Sequence, residues 1–198
     1  MPRASRYPND LRERLVLEAT ARLRTVGPDR VSVRDLANAL STSTNAIYSI
    51  FGGKDPLLAA VAERACAELH ARQVAAAASG AGADGVRAAA RDQRAWALEN
   101  PGHHLLLRGL VGDASSEELA AADDPLVPLV ASCVADGTCA PGDPVEIVAT
   151  IRAAVHGYVT LELHRTASGP DPEDADARFE AHLWRLLRGV LAPVSAVA

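Results

Sequence analysis

The sequence predicts an all-α fold, and three observations support this prediction. Apolar residues recur along the chain at the three- and four-residue spacing of helices, and no segment alternates apolar and polar residues as a half-buried strand does. Clusters of Gly, Pro and Asp separate the periodic segments. With 198 residues, 48% hydrophobic and 4% aromatic, the chain has material for one or two small cores of Ala, Leu and Val. We divide it into an N-terminal domain, residues 1–54, and a larger helical domain, residues 55–198.

The N-terminal domain begins with a helix that we predict from Asn9 to Val26. A shorter helix follows, for which Ser32 is placed as the N-cap and Asp35 completes a capping box. One face of this short helix is apolar and comprises Leu36, Ala37 and Leu40. Two polar residues, Ser41 and Thr42, then predict a tight turn.

A third helix follows the turn, with Ser43 as its N-cap. Its inward face is apolar and consists of Ala46, Ile47, Ile50 and Phe51. Its outward face is polar and able to hydrogen bond, with Thr44, Asn45, Tyr48 and Ser49. A helix that enters the major groove of DNA needs this division, because short donors and acceptors must reach base edges while an apolar face holds the helix on its domain. The segment therefore predicts a helix-turn-helix that binds double-stranded DNA.

The outward residues suit different parts of the DNA. Thr44 and Asn45, at the start of the helix, are placed to reach bases. The Tyr48 hydroxyl and the ammonium of Lys54, the only lysine in the chain, suit phosphates. Each residue alone also has an ordinary structural interpretation, in packing or at a helix start, and only the combination indicates DNA binding.

The charge of the chain is unevenly distributed. The net charge is −5, but residues 1–54 hold nine Lys and Arg against five Asp and Glu, whereas residues 55–198 hold eleven against twenty. We therefore expect the basic N-terminal domain to face the phosphate backbone and the acidic remainder to face away from it.

The same segment resembles the DNA-binding domain of the TetR family of transcriptional regulators over about the first sixty residues. The matching residues are Val33-Arg34-Asp35-Leu36-Ala37, Ala46-Ile47-Tyr48, Phe51 and Lys54. The resemblance implies a set of DNA-contacting side chains. Together with the cap residue Ser43, they are Arg34, Thr44, Asn45, Tyr48, Ser49 and Lys54. The sequence departs from the family at the turn, where Ser41 and Thr42 stand in place of the usual Gly and aliphatic residue. Ser41 must then accept the backbone angles of the turn, at a cost if they are left-handed.

The larger domain is predicted to be helical throughout. The first predicted helix, Asp55–Ala78, is ended by Ser79–Gly85, and the next runs from there to about Glu99, where Asn100-Pro101-Gly102 stops it. The other predicted helices are His103–Val111, Pro125–Asp136, Pro144–Thr166 and Asp174–Leu191. A polar, acidic connection, Gly112–Asp124, joins two of them. The last helix has a strong apolar stripe: Phe179, Leu183, Leu186, Leu187, Val190 and Leu191.

A second resemblance lies in the segment from Arg152 to Leu163, which is similar to the motif of the WHG type of TetR ligand domain. The His156-Gly157 pair and the run Leu161-Glu162-Leu163 match, whereas Arg152 stands where that motif has Trp. The role of that Trp is therefore not transferred. In such proteins the last two long helices pair with their copies in a second subunit, so the resemblance implies a homodimer. Gly157 would suit a close approach of helices or a pocket, although a tolerated glycine is the simpler alternative.

The resemblance also implies a small-molecule effector and a homodimeric repressor that binds a palindromic operator until the effector releases it. The candidate ligand-binding residues are large or polar groups among apolar positions of the central helices: Trp96, His104, Arg108, His156 and Tyr158. Each also has a structural interpretation, such as core packing for Trp96 or pairing of Arg108 with an acidic residue such as Glu162. We predict no cofactor and no metal site, because the adjacent His103 and His104 diverge by about 100° on a helix.

Other functions stay open at this point. The chain could instead be a ligand-independent DNA-binding activator or architectural factor. An enzyme is disfavoured, because the sequence has no nucleophile motif, glycine-rich phosphate loop or ligand-spaced Cys and His. No segment reaches membrane-spanning length and no leader precedes the first helix, so we expect a cytoplasmic protein without a membrane partner. The three cysteines, Cys66, Cys133 and Cys139, are interpreted as small hydrophobic residues, with no support for a disulfide.

Overall fold

The computed structural model describes residues 7–110, 124–166 and 174–191. Within these ranges the secondary structure consists of nine α-helices, a short 3-10 helix and no strand, which confirms the all-α prediction. None of these helices is long and apolar enough to cross a membrane. The helices are α1 (Tyr7–Val26), α2 (Val33–Ala39), α3 (Thr44–Phe51), α4 (Lys54–Ala78), α5 (Gly82–Glu99), α6 (Pro101–Leu110), α7 (Val127–Ala135), α8 (Pro144–Thr166) and α9 (Ala175–Leu191), with the 3-10 helix at Pro28–Arg30.

The described chain forms two compact units. The first unit contains residues 7–67 and 100–110, and the second contains residues 68–99, 124–166 and 174–191. The predicted domain boundary at residue 54 stays a prediction, while the compact unit that holds the helix-turn-helix extends beyond it. The reason is that Leu57 and Val61 of α4 are buried in the same core as residues of α1, α2 and α3.

The core of the first unit is built from one apolar face of each of its helices. Leu106 of α6 belongs to this core as well. The fully buried side chains of this core are Leu15, Ala19 and Leu23 of α1, Leu36 of α2, Ile47 of α3, and Leu57 and Val61 of α4. Truncating one of these leucines to alanine would cost about 2–5 kcal/mol of stability. The inward-facing residues that the sequence predicts for α2 and α3 are thus part of the core or pack against it, with Ala46 only half-buried.

Helix α6 begins earlier than the sequence predicts. The sequence places a break at Asn100-Pro101-Gly102, but only Asn100 lies between the helices, and α6 begins at Pro101. Proline fits the first position of a helix, where its missing N–H is not needed. Gly102 allows α6 to approach α1 closely, since a Cβ on Gly102 would lie 1.8 Å from the carbonyl oxygen of Leu23.

The second unit has a core with few aromatic residues. Trp96 of α5 and Phe179 of α9 are buried, together with Val155 and Val159 of α8. Most of the apolar stripe predicted for α9 is buried as expected: Phe179, Leu183, Leu187 and Leu191. The predicted connection Gly112–Asp124 and residue Val111 lie outside the described residues, apart from Asp124 itself.

The three cysteines are free thiols. Cys66 is exposed, whereas Cys133 and Cys139 are buried. The pKa of the Cys139 thiol is raised to about 11, mainly because the thiol is buried and to a smaller extent because it forms a hydrogen bond with Cys133. The prediction of small hydrophobic residues thus fits Cys133 and Cys139 better than Cys66.

Candidate nucleic-acid interface and polar groups of the second unit

Both short helices begin at the serines that the sequence predicts as caps. The Ser32 hydroxyl accepts a hydrogen bond from the backbone N–H of Asp35 at 3.4 Å, and the Ser43 hydroxyl accepts one from the N–H of Ala46 at 3.1 Å. Such caps stabilise a helix by about 1 kcal/mol. Because α2 and α3 have only seven and eight residues, the caps fix where each begins. Ser43 is therefore first a cap, whatever it contributes to DNA binding.

Ser41 has the left-handed backbone that the sequence analysis anticipates. Its φ is 51°, the only positive φ of a non-glycine residue in the described chain. The Thr42 N–H donates to the Ala37 carbonyl at 2.9 Å and the Ser41 N–H donates to the Asn38 carbonyl at 3.2 Å. This is the Schellman arrangement that ends many helices, usually with glycine at the left-handed position. A side chain there costs about 1 kcal/mol.

Helix α3 ends at a glycine. Gly52 has a φ of 86° and its N–H donates to the Tyr48 carbonyl at 2.8 Å. The chain then enters α4 at Lys54. The two left-handed residues, Ser41 and Gly52, thus bracket α3 and set its direction relative to α2 and α4.

The polar residues of α3 face outward while Ile47 is fully buried. Asn45, Tyr48 and Ser49 are exposed, and Tyr48 has 54% of its surface accessible, which is unusual for an aromatic side chain. Thr44 is half-buried. The structure therefore brings the four outward residues of α3 onto one accessible surface, as the pattern predicts, although their contacts with DNA stay a prediction.

Two basic residues lie on the helices that precede and follow α3. Arg34 is exposed on the first turn of α2. Lys54 is half-buried, and its ammonium donates a hydrogen bond to the backbone carbonyl of Asp29 at 3.2 Å. A neutral carbonyl leaves the charge of Lys54 uncompensated, so the ammonium can still attract a phosphate.

Arg12 adds a contact that sequence reasoning did not find. Its guanidinium lies over the ring of Phe51, 5.3 Å from the ring centre. This contact joins α1 to the last turn of α3. The two residues are far apart in sequence and share no motif, so no local signal pointed to it.

The candidate ligand-binding residues are divided between the two compact units, and their binding of a ligand stays a prediction. His104 is buried in the first unit, on α6, while Trp96, His156 and Tyr158 belong to the second unit. Trp96 is a core residue whose indole N–H donates to Glu68 at 3.2 Å. The side chain of Arg108 lies outside the described residues. Tyr158 packs against α9, with its ring centre 4.6 Å from that of His182 and 5.6 Å from that of Phe179.

Glu162 has a partner other than the one suggested from the sequence. Its carboxylate accepts two hydrogen bonds from Arg94, from Nε at 2.8 Å and from Nη2 at 2.7 Å. Both side chains are mostly buried, at 12% and 8% exposure. Arg94 also donates to Asp176 and lies over the ring of Phe179. The hydrogen bond with Glu162 is the main cause of the raised pKa of Arg94. These contacts join α5, α8 and α9.

A second arginine that is mostly buried, Arg152, lies at the centre of a polar cluster. Its Nε and Nη2 donate to the two carboxylate oxygens of Asp124, at 2.7 and 2.9 Å. Its Nη1 donates to the side-chain carbonyls of Gln93, at 2.9 Å, and Gln73. The sequence analysis noted Arg152 as a departure from a motif but did not find its partners, which lie 28 to 79 residues away.

Two protein-family models match the chain. Residues 16–61 match the family described as bacterial regulatory proteins, tetR family, and residues 86–186 match the tetracycline repressor-like C-terminal domain. The first match covers the helix-turn-helix, and the second covers about half of the chain. The finer resemblance of the segment around Gly157 to the WHG type stays a prediction.

Solved structures share the fold. A TetR-family transcriptional regulator from Pectobacterium atrosepticum is 26% identical with a TM-score of 0.72, covering 96% of this chain and 98% of that one. A Rhodococcus protein of unknown function is 25% identical with a TM-score of 0.72, covering 91% and 95%. A TetR variant from Acinetobacter baumannii, solved in complex with minocycline, is 21% identical with a TM-score of 0.62, covering 88% and 93%. Among curated proteins, none matches this sequence.

Proposed function

Because the chain belongs to the TetR family of DNA-binding transcriptional regulators, we propose that it is a homodimeric repressor that binds a palindromic operator and is released by a small molecule. The observation that carries the proposal is the division of α3, in which Asn45, Tyr48 and Ser49 are exposed while Ile47 is fully buried. The exposed tyrosine and the short polar groups beside it offer hydrogen-bond donors and acceptors on a surface that packing of the domain does not use. DNA in its major groove fits the size and chemistry of this surface.

In this proposal the residues of the first unit have distinct roles. Thr44 and Asn45 read base edges from the first turn of α3, and Ser49 supports them from the next turn. Tyr48, Arg34 and Lys54 bind phosphates and fix the position of the helix along the groove. Ser43 holds the start of the helix through its cap.

Dimerisation is supported by the exposed surface of α8 and α9. Leu161 is 55% exposed and Trp184 is 54% exposed, both on the last two long helices. Gly157 is exposed on the same helix as Leu161, one turn away, and a Cβ added to it would meet no described atom within 4 Å. Packing within the described protomer therefore does not require this glycine, whereas close approach of a partner helix would. Two copies related by a twofold axis would present two α3 helices to a palindrome.

The effector is placed in the second unit. The family resemblance and the Acinetobacter complex with minocycline support a small organic molecule as the class of ligand for this fold. To release DNA, the effector must bind the DNA-incompetent state more tightly than the DNA-binding state. A repressor of this kind acts in the cytoplasm, where the DNA is, and needs no catalytic activity. The alternative is a DNA-binding activator or architectural factor without an effector.

The operator can be found by selecting sequences from a random duplex library with the purified protein. We expect an enriched palindrome with two half-sites, since each α3 of the dimer reads one. The matched control is the Asn45→Ala variant, which should enrich a less defined half-site. If the unchanged protein enriches no common sequence from the library, sequence-specific regulation is contradicted.

A further inference from the structure

The polar cluster around Arg152 is unusual within the second unit. It joins Gln73 of α4, Gln93 of α5 and Arg152 of α8 with Asp124, which precedes α7. Gln73 and Gln93 are only 3% and 8% exposed. Placing these groups in an otherwise apolar interior is costly unless every donor and acceptor is satisfied.

The two glutamines hold the Arg152 guanidinium in place without the help of Asp124. Both glutamine side-chain carbonyls accept from the same nitrogen, Nη1. Gln73 is itself fixed, because its amide donates to the Ala89 carbonyl at 3.0 Å and to Asp92 at 3.2 Å. The edge formed by Nε and Nη2 is thus pre-organised, and its two parallel donors match a carboxylate.

Asp124 occupies that edge but is anchored differently from the other three members. It lies outside any helix, and its Oδ1 also accepts the backbone N–H of Leu126 at 2.8 Å. The side chains of Arg152 and Asp124 are 21% and 14% exposed, so water and small solutes can reach the pair. Asp124 is therefore the member that another carboxylate could replace.

We propose that the Nε and Nη2 edge of Arg152 is a carboxylate-binding site, filled by Asp124 in the free protein and by a carboxylate group of the effector in the bound protein. This rests on the proposed function for its claim that an effector exists. Exchanging one carboxylate for another keeps the guanidinium paired with an anion, whereas a neutral ligand that displaced Asp124 would leave the mostly buried guanidinium without an anionic partner. The site therefore selects for anionic effectors. Displacement of Asp124 also removes the hydrogen bond to Leu126 at the start of α7.

The site can be tested by chemical rescue. The Asp124→Ala variant lacks the internal carboxylate and should unfold at a lower temperature than the unchanged protein. About 100 mM sodium acetate should then raise its Tm by about 3 °C relative to sodium chloride at equal ionic strength, because acetate fills the vacated edge of Arg152. Acetamide, which has a similar shape without the charge, should not raise it.

The chain offers a matched control in Asp143. Its carboxylate accepts the backbone N–H of Val145 at 2.9 Å, just as Asp124 caps Leu126, but the structure gives it no arginine partner among the described residues. Asp143→Ala should therefore show no specific effect of acetate, and neither should the double variant Asp124→Ala with Arg152→Gln. Equal acetate shifts in the Asp124 and Asp143 variants would overturn the proposal.

If Asp124→Ala does not fold, Asp124→Ser allows the same comparison, because it removes the carboxylate from the edge of Arg152 and keeps a hydroxyl that can accept the Leu126 N–H. Operator binding of the unchanged protein is measured separately. Rescue without operator binding would sustain the carboxylate site and reject the proposed function, whereas operator binding without rescue would reject only the carboxylate site.

Discussion

Ser41 holds the turn between α2 and α3 with a backbone that favours glycine. Its φ of 51° is accompanied by both hydrogen bonds of a Schellman cap, so the conformation is imposed by the ends of two helices. The Ser41 side chain is exposed, and the structure describes no specific contact for it. The strain therefore has a local origin and can be relieved at this residue alone.

Ser41→Gly should increase the free energy of unfolding by about 1 kcal/mol, because it removes the cost of a Cβ in the left-handed region. Chemical denaturation of the two proteins under equal conditions would measure this. The control is Ala39→Gly, at an exposed position of α2, which should lower stability by about 1 kcal/mol. A loss of stability in Ser41→Gly would show that the serine has a role in the turn that its geometry does not reveal.

The DNA-facing side chains should separate into two classes. Tyr48→Phe and Lys54→Ala remove the groups that we propose to bind phosphates and should weaken binding to all sequences by a similar factor. Asn45→Ala removes the side chain that we propose to read a base and should change the ranking of operator variants, by about 1–3 kcal/mol at the base concerned. Titrations against a set of single-base operator variants measure both effects. Unchanged relative affinities in Asn45→Ala would contradict a base-reading role for this residue.

At the scale of elements, α6 packs on α1 more closely than any side chain would allow. A Cβ on Gly102 would collide with the Leu23 carbonyl, and the adjacent Asn100 accepts a hydrogen bond from Arg24 at 2.7 Å. The neighbouring core residues, Leu23 and Leu106, are buried in the same cluster. Position 102 therefore fixes how close α6 lies to α1 within the first unit.

Gly102→Ala should lower the free energy of unfolding by more than about 2 kcal/mol, because backbone must move to admit the methyl group. The control is Gly189→Ala on α9, where a Cβ meets no described atom within 4 Å and the better helix propensity of alanine should raise stability. Thermal melting of both variants gives the comparison. Equal stability of Gly102→Ala and the unchanged protein would show that α6 does not approach α1 this closely.

Two of the ion pairs between α5 and the last helices, Arg94–Glu162 and Arg91–Glu180, differ in burial, and so should their energetic effects. Glu162→Gln leaves the mostly buried Arg94 with only the exposed Asp176 as an anionic partner and should cost about 2–3 kcal/mol. Glu180→Gln breaks the bidentate pair with Arg91, whose side chains are 43% and 52% exposed, and should cost less than about 1 kcal/mol. The Arg91 hydrogen bond lowers the pKa of Glu180, so the small contribution of this pair is lost as the pH falls through that lowered pKa. Denaturation curves that give equal losses would contradict the assigned difference.

The elements could be predicted from the sequence where their causes are local. The caps at Ser32 and Ser43, the left-handed Ser41 and the apolar faces of α2 and α3 follow from residues within one or two turns of each other. The start of α6 was placed two residues late, because proline and glycine usually end helices and only the contact with α1 explains Gly102. The Arg152 cluster was missed because its four members come from four separate segments, and no periodicity relates them.

In the whole molecule, recognition of an operator requires two copies of the chain that act together. The exposed Leu161 and Trp184 and the open surface at Gly157 lie on α8 and α9, and a single α3 contacts too few bases to define an operator. Because residues 1–54 are basic and residues 55–198 are acidic, we expect the N-terminal part of each copy to face the phosphate backbone.

Leu161→Glu should convert the dimer to a monomer with little loss of protomer stability, because the side chain is exposed in the protomer. Light scattering after size-exclusion chromatography reports the mass directly. Val74→Glu, an exposed apolar position on α4, is the matched control and should leave the dimer intact. A dimer that survives Leu161→Glu would place the interface elsewhere.

Sequence-specific binding by a dimer can be measured by fluorescence anisotropy with DNA from upstream of the gene of this protein, at about 150 mM salt and with excess nonspecific competitor DNA. We expect tight, competitor-resistant binding with two protomers for each site, lost in the monomeric Leu161→Glu variant. Binding that the competitor abolishes, for this DNA and for the sequences selected from the random library alike, would contradict the account of a sequence-specific dimeric regulator.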